Sequence, residues 1–194
     1  RIMDALNTHF VLSDNCETTI EINPGTITVG DGKIENYKTA GINRLSIGLQ
    51  SAIDSELRAL GRIHTLEDFE KLWSMVHEKG FMNCNVDIMS AVHTQTPDSY
   101  RKTLEYVCNL KDKPTHISAY SLIVEENTPY ANMDLILPSE EEERTMYSLT
   151  KEVLASYGYH RYEISNYALD GYECFHNKVY WKRGNYVGLG LGAS

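Results

Sequence analysis

A chain of 194 residues can bury one substantial core, and 42% hydrophobic with 23% charged residues is the composition of an ordinary globular protein. A formal net charge of −9 argues against a general nucleic-acid-binding surface, and no apolar run is long enough to cross a bilayer. With no secretory pattern at its start, the chain is expected to be cytoplasmic.

The first residues, R-I-M-D-A-L, read as the inside of a helix, and the last, G-L-G-L-G-A-S at 188–194, as an unfinished connection. The chain is therefore expected to be the middle of a longer protein. T-T-I-E-I-N-P-G-T at 18–26 predicts a short strand ended by Asn-Pro-Gly. Residues 34–41 predict a short helix closed by Gly41, and 43–50 a second strand. A short helix at 53–60 precedes a longer one at 65–80, with Thr65 as N-cap and Leu66, Phe69, Leu72, Trp73 and Val76 as its apolar stripe. A third strand at 83–89, a helix at 96–110 begun by Thr96 and Pro97, and a fourth strand at 116–122 continue the alternation. Ser139 caps a long helix reaching about residue 157, and its glutamates at 140–143 suit the positive end of the helix dipole. A last strand is expected at 161–165, followed by an irregular aromatic tail.

Strands alternating with helices imply right-handed βαβ units and a parallel sheet. One face of that sheet carries Ile20, Ile22, Leu45, Ile47, Leu49, Val86, Ile88 and Ile117. The other carries Thr19, Glu21, Asn23, Ser46, Gly48, Gln50, Asn85, Asp87, His116, Ser118 and Tyr120. An open sheet covered by helices on both sides would be apolar on both faces, so a barrel with a polar interior fits better. Glu21, Gln50 and Asp87 lie near the C-terminal ends of their strands, where α/β barrels build sites. Two carboxylates and an amide suit a ligand with ammonium and hydroxyl groups, and Arg62, in L-G-R-I-H, can clamp a carboxylate. A polar network that satisfies itself inside the barrel is the competing account. Cys16, Cys84, Cys108 and Cys174 are too scattered for a zinc, cluster or disulfide framework and are expected as reduced, mostly buried thiols. G-L-G-L-G-A-S follows no clear strand and opens no helix, so it fails as a dinucleotide loop.

T-I-E-I-N-P-G, A-G-I-N-R-L-S-I-G-L-Q-S, L-G-R-I-H, N-V-D-I-M, Q-T-P, H-I-S-A-Y-S-L, Y-E-I-S-N-Y-A and H-N-K-V-Y-W, in this order, closely resemble the oxygen-independent coproporphyrinogen III oxidase family of radical S-adenosylmethionine proteins. The resemblance implies an α/β fold, an incomplete (β/α)6 TIM-like barrel. Residues 1–166 would form its later part, with the N-terminal strands missing. Residues 167–194 would form an aromatic, glycine-rich tail packed on the barrel and leading to a missing C-terminal region. It further implies that Glu21, Gln50, Arg62 and Asp87 surround S-adenosylmethionine, and that a C-x-x-x-C-x-x-C loop upstream holds a [4Fe–4S] cluster, so that this chain alone contributes no metal ligand. Relatives carry a Gly-Leu-Pro-Gly type turn before Gln-Thr-Pro; here residues 90–97 read S-A-V-H-T-Q-T-P, with His93 expected on a solvent-exposed loop.

C-F-H-N-K-V-Y-W at 174–181 resembles the signature of the family's HemW-type haem chaperones. On that resemblance His176, Asn177, Tyr180 and Trp181 mark the subgroup, with His176 a candidate haem ligand and Tyr180 and Trp181 candidates to pack a porphyrin face. The expected partners are haem or porphyrin and haem-accepting proteins. The alternative is oxidative decarboxylation of coproporphyrinogen III to protoporphyrinogen IX in haem biosynthesis. An unrelated barrel enzyme is a third reading, and it leaves the ordered motifs unexplained.

Overall fold

An amphipathic first helix, Ile2–His9 (α1), leads into a strand, Thr19–Ile22 (β1), that Pro24 ends by starting a single 3₁₀ turn. This computed structural model describes residues 1–194 apart from 29, 129, 192 and 194. Helix Lys33–Thr39 (α2) returns the chain to strand Arg44–Gln50 (β2), and helices Asp54–Ala59 (α3) and Leu66–Glu78 (α4) return it to Cys84–Ser90 (β3). Helix Pro97–Cys108 (α5) then precedes His116–Ser121 (β4), and β1 to β4 pair side by side, all parallel. Helix Glu140–Ser156 (α6) covers the outer face together with α5.

The helices begin where their caps dictate. Thr65 with Asp68, Thr96 with Ser99 and Ser139 with Glu142 each form a reciprocal capping box, contributing about 1 kcal/mol apiece. The core lies outside the sheet. Leu45, Ile47, Leu49, Val86, Ile88 and Ile117 are fully buried against Phe69 and Leu72 of α4, Leu104 and Val107 of α5, and Met146 and Leu154 of α6. Each such side chain stabilises the fold by roughly 1.5–3 kcal/mol. The alternate residues of the same strands face inward. Glu21 pairs with Ser46, Gly48 with Asp87, and Asp87 with Ser118, so the polar side chains share one surface.

The sheet's far end departs from the expected pattern. In place of one strand at 161–165 the chain forms two short strands, His160–Arg161 (β5) and Asn166–Ala168 (β6), and the sheet order is β1-β2-β3-β4-β6-β5. β6 runs antiparallel to both β4 and β5. For β5 and β6 the reason is connection length: a parallel neighbour needs a long crossover, whereas the link at 162–165 allows only a hairpin. The tail is also less irregular than expected. Phe175–Trp181 (α7) is a helix, and its start lacks a side-chain cap, which removes the local signal. Tertiary contacts hold it instead, since Glu17 Oε1 accepts the Phe175 N–H at 3.2 Å and the Cys174 thiol at 3.4 Å. Residues 166 and 167, between which the expected domain division runs, are neighbours in β6. Of the glycine-rich stretch at 188–194, Gly192 and Ser194 lie outside the described residues.

Candidate functional site

The inward face of the sheet and α7 enclose a cavity of about 720 Å³. Strand alternation supplies Glu21 from β1, Arg44 and Ser46 from β2, Asn85 and Asp87 from β3, and Ser118 and Tyr120 from β4; the tail supplies Cys174, Phe175, His176, Asn177 and Val179. The volume falls within the range of small-molecule sites.

Asp87 is the most constrained acid there. Asn85 Nδ2 donates to its Oδ1 at 2.7 Å and Ser46 Oγ to its Oδ2 at 3.2 Å. Burial nevertheless raises its pKa above the ordinary carboxylate value, because those neutral donors do not replace bulk water, and the nearby Glu21 charge adds to the rise. Glu21 itself is exposed to the cavity, and among the described residues its carboxylate has no hydrogen-bond or ion-pair partner.

Gln50 and Arg62 do not line the cavity. Gln50 follows a bulge in the β2–β3 pairing with φ 71°, and its Oε1 accepts the Tyr120 hydroxyl at 3.2 Å. Gly48 leaves room for the side chains beside it: a Cβ there would lie 2.8 Å from Gln50 Nε2 and 3.2 Å from Asn23 Oδ1. Arg62 Nη1 donates to that same Asn23 oxygen at 3.3 Å. Glu21 and Asp87 thus share the cavity, Gln50 reaches it through Tyr120, and Arg62 is tied to Asn23 outside its lining. The sequence had placed Tyr120 and Asn23 on the polar face without a role.

A hydrogen-bonded chain joins Asp87 to α7. Because the Asn85 amide nitrogen serves Asp87 and Ser46, its Oδ1 must accept from His116 Nδ1–H at 2.6 Å. His116 Nε2 is then the acceptor for the Tyr162 hydroxyl at 2.7 Å, and Tyr162 accepts from Asn177 Nδ2 at 3.2 Å. Burial, with the Arg44 charge, pulls the His116 pKa down to about 3, so the imidazole is neutral. Burial pushes the Tyr162 phenol up to about 12.

The motif on α7 divides between two hollows. His176 and Asn177 line the main cavity, and the His176 ring meets the Tyr180 ring edge-on at 4.7 Å. Trp181 is exposed and lines a separate hollow of about 400 Å³ with Tyr147, Arg161 and Tyr162. His93 is half-buried, not solvent-exposed, because its Nδ1 accepts the Ile136 N–H at 2.8 Å. The thiols are free; Cys84, Cys108 and Cys174 are buried, and burial raises their pKa values, to about 12 for the first two. Among the described residues no three His, Cys, Asp or Glu side chains converge as a metal site. Arg44 was missed in the sequence, although its spacing from Ser46 and Gly48 puts it on the same inward face.

Residues 2–107 match the family model described as the Radical SAM superfamily. Heme chaperone HemW of Escherichia coli (strain K12) is 33% identical over 99% of this chain and 50% of its own length. Heme chaperone HemW of Bacillus subtilis (strain 168) is 38% identical over 100% of this chain and 51% of its own. Among solved structures, the coproporphyrinogen III oxidase HemN from Escherichia coli, a Radical SAM enzyme, superposes with a TM-score of 0.77 at 25% identity, covering 88% of this chain and 39% of that one. The chain spans about half the length of the curated relatives it matches.

Proposed function

We propose a haem-chaperone role of the HemW type for this chain, which belongs to the Radical SAM superfamily. The observation that carries the reading is a single cavity lined both by Glu21 and Asp87 and by His176 and Asn177 of the tail motif. A cofactor pocket and a haem-binding motif would then face one space.

The chemistry of the inner face fits S-adenosylmethionine. Glu21 is an open carboxylate without a partner among the described residues, Asp87 retains acceptor capacity, and Gly48 leaves room that a Cβ would take from Gln50. In this reading Glu21 accepts from the ligand's ammonium group and Asp87 from its hydroxyls. Tyr120 holds the Gln50 amide, and Arg62 holds a carboxylate. When bound, S-adenosylmethionine supplies a cleavable sulfonium–carbon bond. Among the described residues Cys16, Cys84, Cys108 and Cys174 do not converge.

His176 offers an exposed imidazole as the haem iron ligand, with Phe175 and Val179 as apolar surface beside it. The recipients are haem-accepting proteins, and the place of action is the cytoplasm. Among the described residues no helix is long and apolar enough to cross a membrane. A second reading, coproporphyrinogen III oxidation, is favoured by the superposition on HemN.

The test is a haem titration of the full-length protein, followed by absorbance, beside its His176→Ala variant. Saturable binding that weakens at least ten-fold in the variant is expected. Equal binding removes His176 as ligand. Binding by neither protein overturns the chaperone reading and favours the anaerobic decarboxylase assay.

A further inference from the structure

We infer that Arg44 is a carboxylate anchor at the floor of the cavity. The inference rests on the cavity being a ligand site, as proposed above. Arg44 opens β2, level with Thr19 of β1 and four residues before Gly48. It therefore lies roughly 13 Å of strand below the level of Asp87, at the N-terminal end of the sheet.

Three observations carry the assignment. Arg44 is only 4% exposed, yet its Nε has no hydrogen-bond partner, and among the described residues none of the ion pairs involves its guanidinium. A buried guanidinium without an acceptor is costly, and such groups are normally paired. Second, it lines the cavity, so the space in which an acceptor would sit is the ligand space itself. Third, the carboxylate sharing that end of the cavity is already engaged: Glu17 Oε1 takes the Phe175 N–H and the Cys174 thiol. The Arg44 charge is felt by its neighbours, for it helps to lower the His116 pKa and opposes the burial-driven rise at Cys84 and Cys174.

A planar fork of N–H donors on a buried side chain selects a carboxylate. Two ligands of this cavity could bring one: the propionates of haem, or the amino-acid end of S-adenosylmethionine. Their shared chemistry is the anchor's target, and the source is an experimental matter.

The test uses the full-length protein and its Arg44→Gln variant. Each is titrated with haem and haem dimethyl ester, and with S-adenosylmethionine and its decarboxylated analogue. Thermal unfolding of both ligand-free proteins is recorded alongside. The expected result is a loss of ten-fold or more in affinity for one free carboxylate ligand, no further loss for its carboxylate-free counterpart, and an unchanged or higher Tm without ligand. A loss confined to haem names the propionate. A loss confined to S-adenosylmethionine names the amino-acid end, and keeps the anchor even where haem fails to bind. Equal affinities in the two proteins overturn the anchor while leaving haem binding intact. A lower ligand-free Tm in the variant also overturns it, because Arg44 would then have a structural partner. Binding of neither ligand by the wild type overturns both readings.

Discussion

Two polar clusters in this molecule are built in opposite ways. Glu56 of α3 is 3% exposed, and its carboxylate accepts from Ser51 Oγ at 2.7 Å, Gln95 Nε2 at 2.9 Å and Ser99 Oγ at 2.6 Å. It ties the end of β2, the loop after β3 and the start of α5 together, and its acceptors are filled from within the chain. The inner face of the sheet is the reverse. Glu21 and the Arg44 Nε lack partners among the described residues, and Asp87 is held by neutral donors that leave its charge poorly compensated. A satisfied network is a structural joint; one with demand left over is built for something that arrives later.

Removing the structural joint has the largest expected effect. Glu56→Ala removes the acceptor that three donors share, with Ser99 Oγ left only Thr96 O and Gln95 Nε2 only Met89 O, and should lower stability by about 3 kcal/mol, a fall in Tm of roughly 6–12 °C. Denaturant and thermal unfolding of the full-length protein check this, and a loss below about 1 kcal/mol would show that the two clusters do not differ as described.

Tyr162→Phe should cost about 1–2 kcal/mol, because buried His116 loses its donor and Asn177 its acceptor. Haem titration of the same variant shows whether α7 depends on that link.

Asp87→Asn should change stability in the other direction. The folded-state pKa of Asp87 lies above its ordinary value of 3.8, so its burial destabilises the ionised fold. That penalty is absent below the ordinary value, grows as pH rises through the window between the two values, and is complete above the folded one. The variant should therefore be more stable by about 1 kcal/mol at neutral pH, with the difference vanishing below about pH 4. His116 has the opposite sign: its pKa falls from 6.5 to about 3, so stability is lost as pH drops through that range, and this acid limb should persist in the variant. Tm against pH for the two proteins separates the terms.

The smallest effect concerns the loop after β3. Ala91 and Thr94 hold φ of 59° and 61°, in the left-handed region that disfavours L side chains. Thr94→Gly and Ala91→Gly should each stabilise by about 0.5 kcal/mol, the relief of strain being partly offset by unfolded-state entropy. A loss on either substitution, measured by unfolding, would mean that the side chain's packing outweighs the strain.

Much of this was legible in the sequence, for identifiable reasons. Period-two alternation sorted Leu45, Ile47 and Leu49 from Ser46 and Gly48, and Thr65, Thr96 and Ser139 announced their helices through caps. What escaped depended on contacts distant in sequence. The β5–β6 hairpin is set by its short link and by pairing of β6 with β4, and α7 is held by Glu17, more than 150 residues away in sequence (|i−j| 158). Among the candidate site residues, the inward placement of Glu21 and Asp87 followed from alternation. The isolation of Arg44 did not, since no local pattern reveals an unmet partner. Nor did the route from Gln50 to the cavity through Tyr120, which depends on a bulge and a positive φ.

The most direct test of the inner face as a ligand site is the stabilisation of full-length protein by S-adenosylmethionine. Thermal unfolding would be compared, with and without ligand at about 100-fold its Kd, in the wild type and a Glu21→Gln/Asp87→Asn double variant. The wild type should gain roughly 5–10 °C, while the double variant, more stable at neutral pH without ligand, should gain about 1 °C or less. An equal gain in both proteins would contradict the account, because the unmet carboxylates would then have no part in holding the ligand.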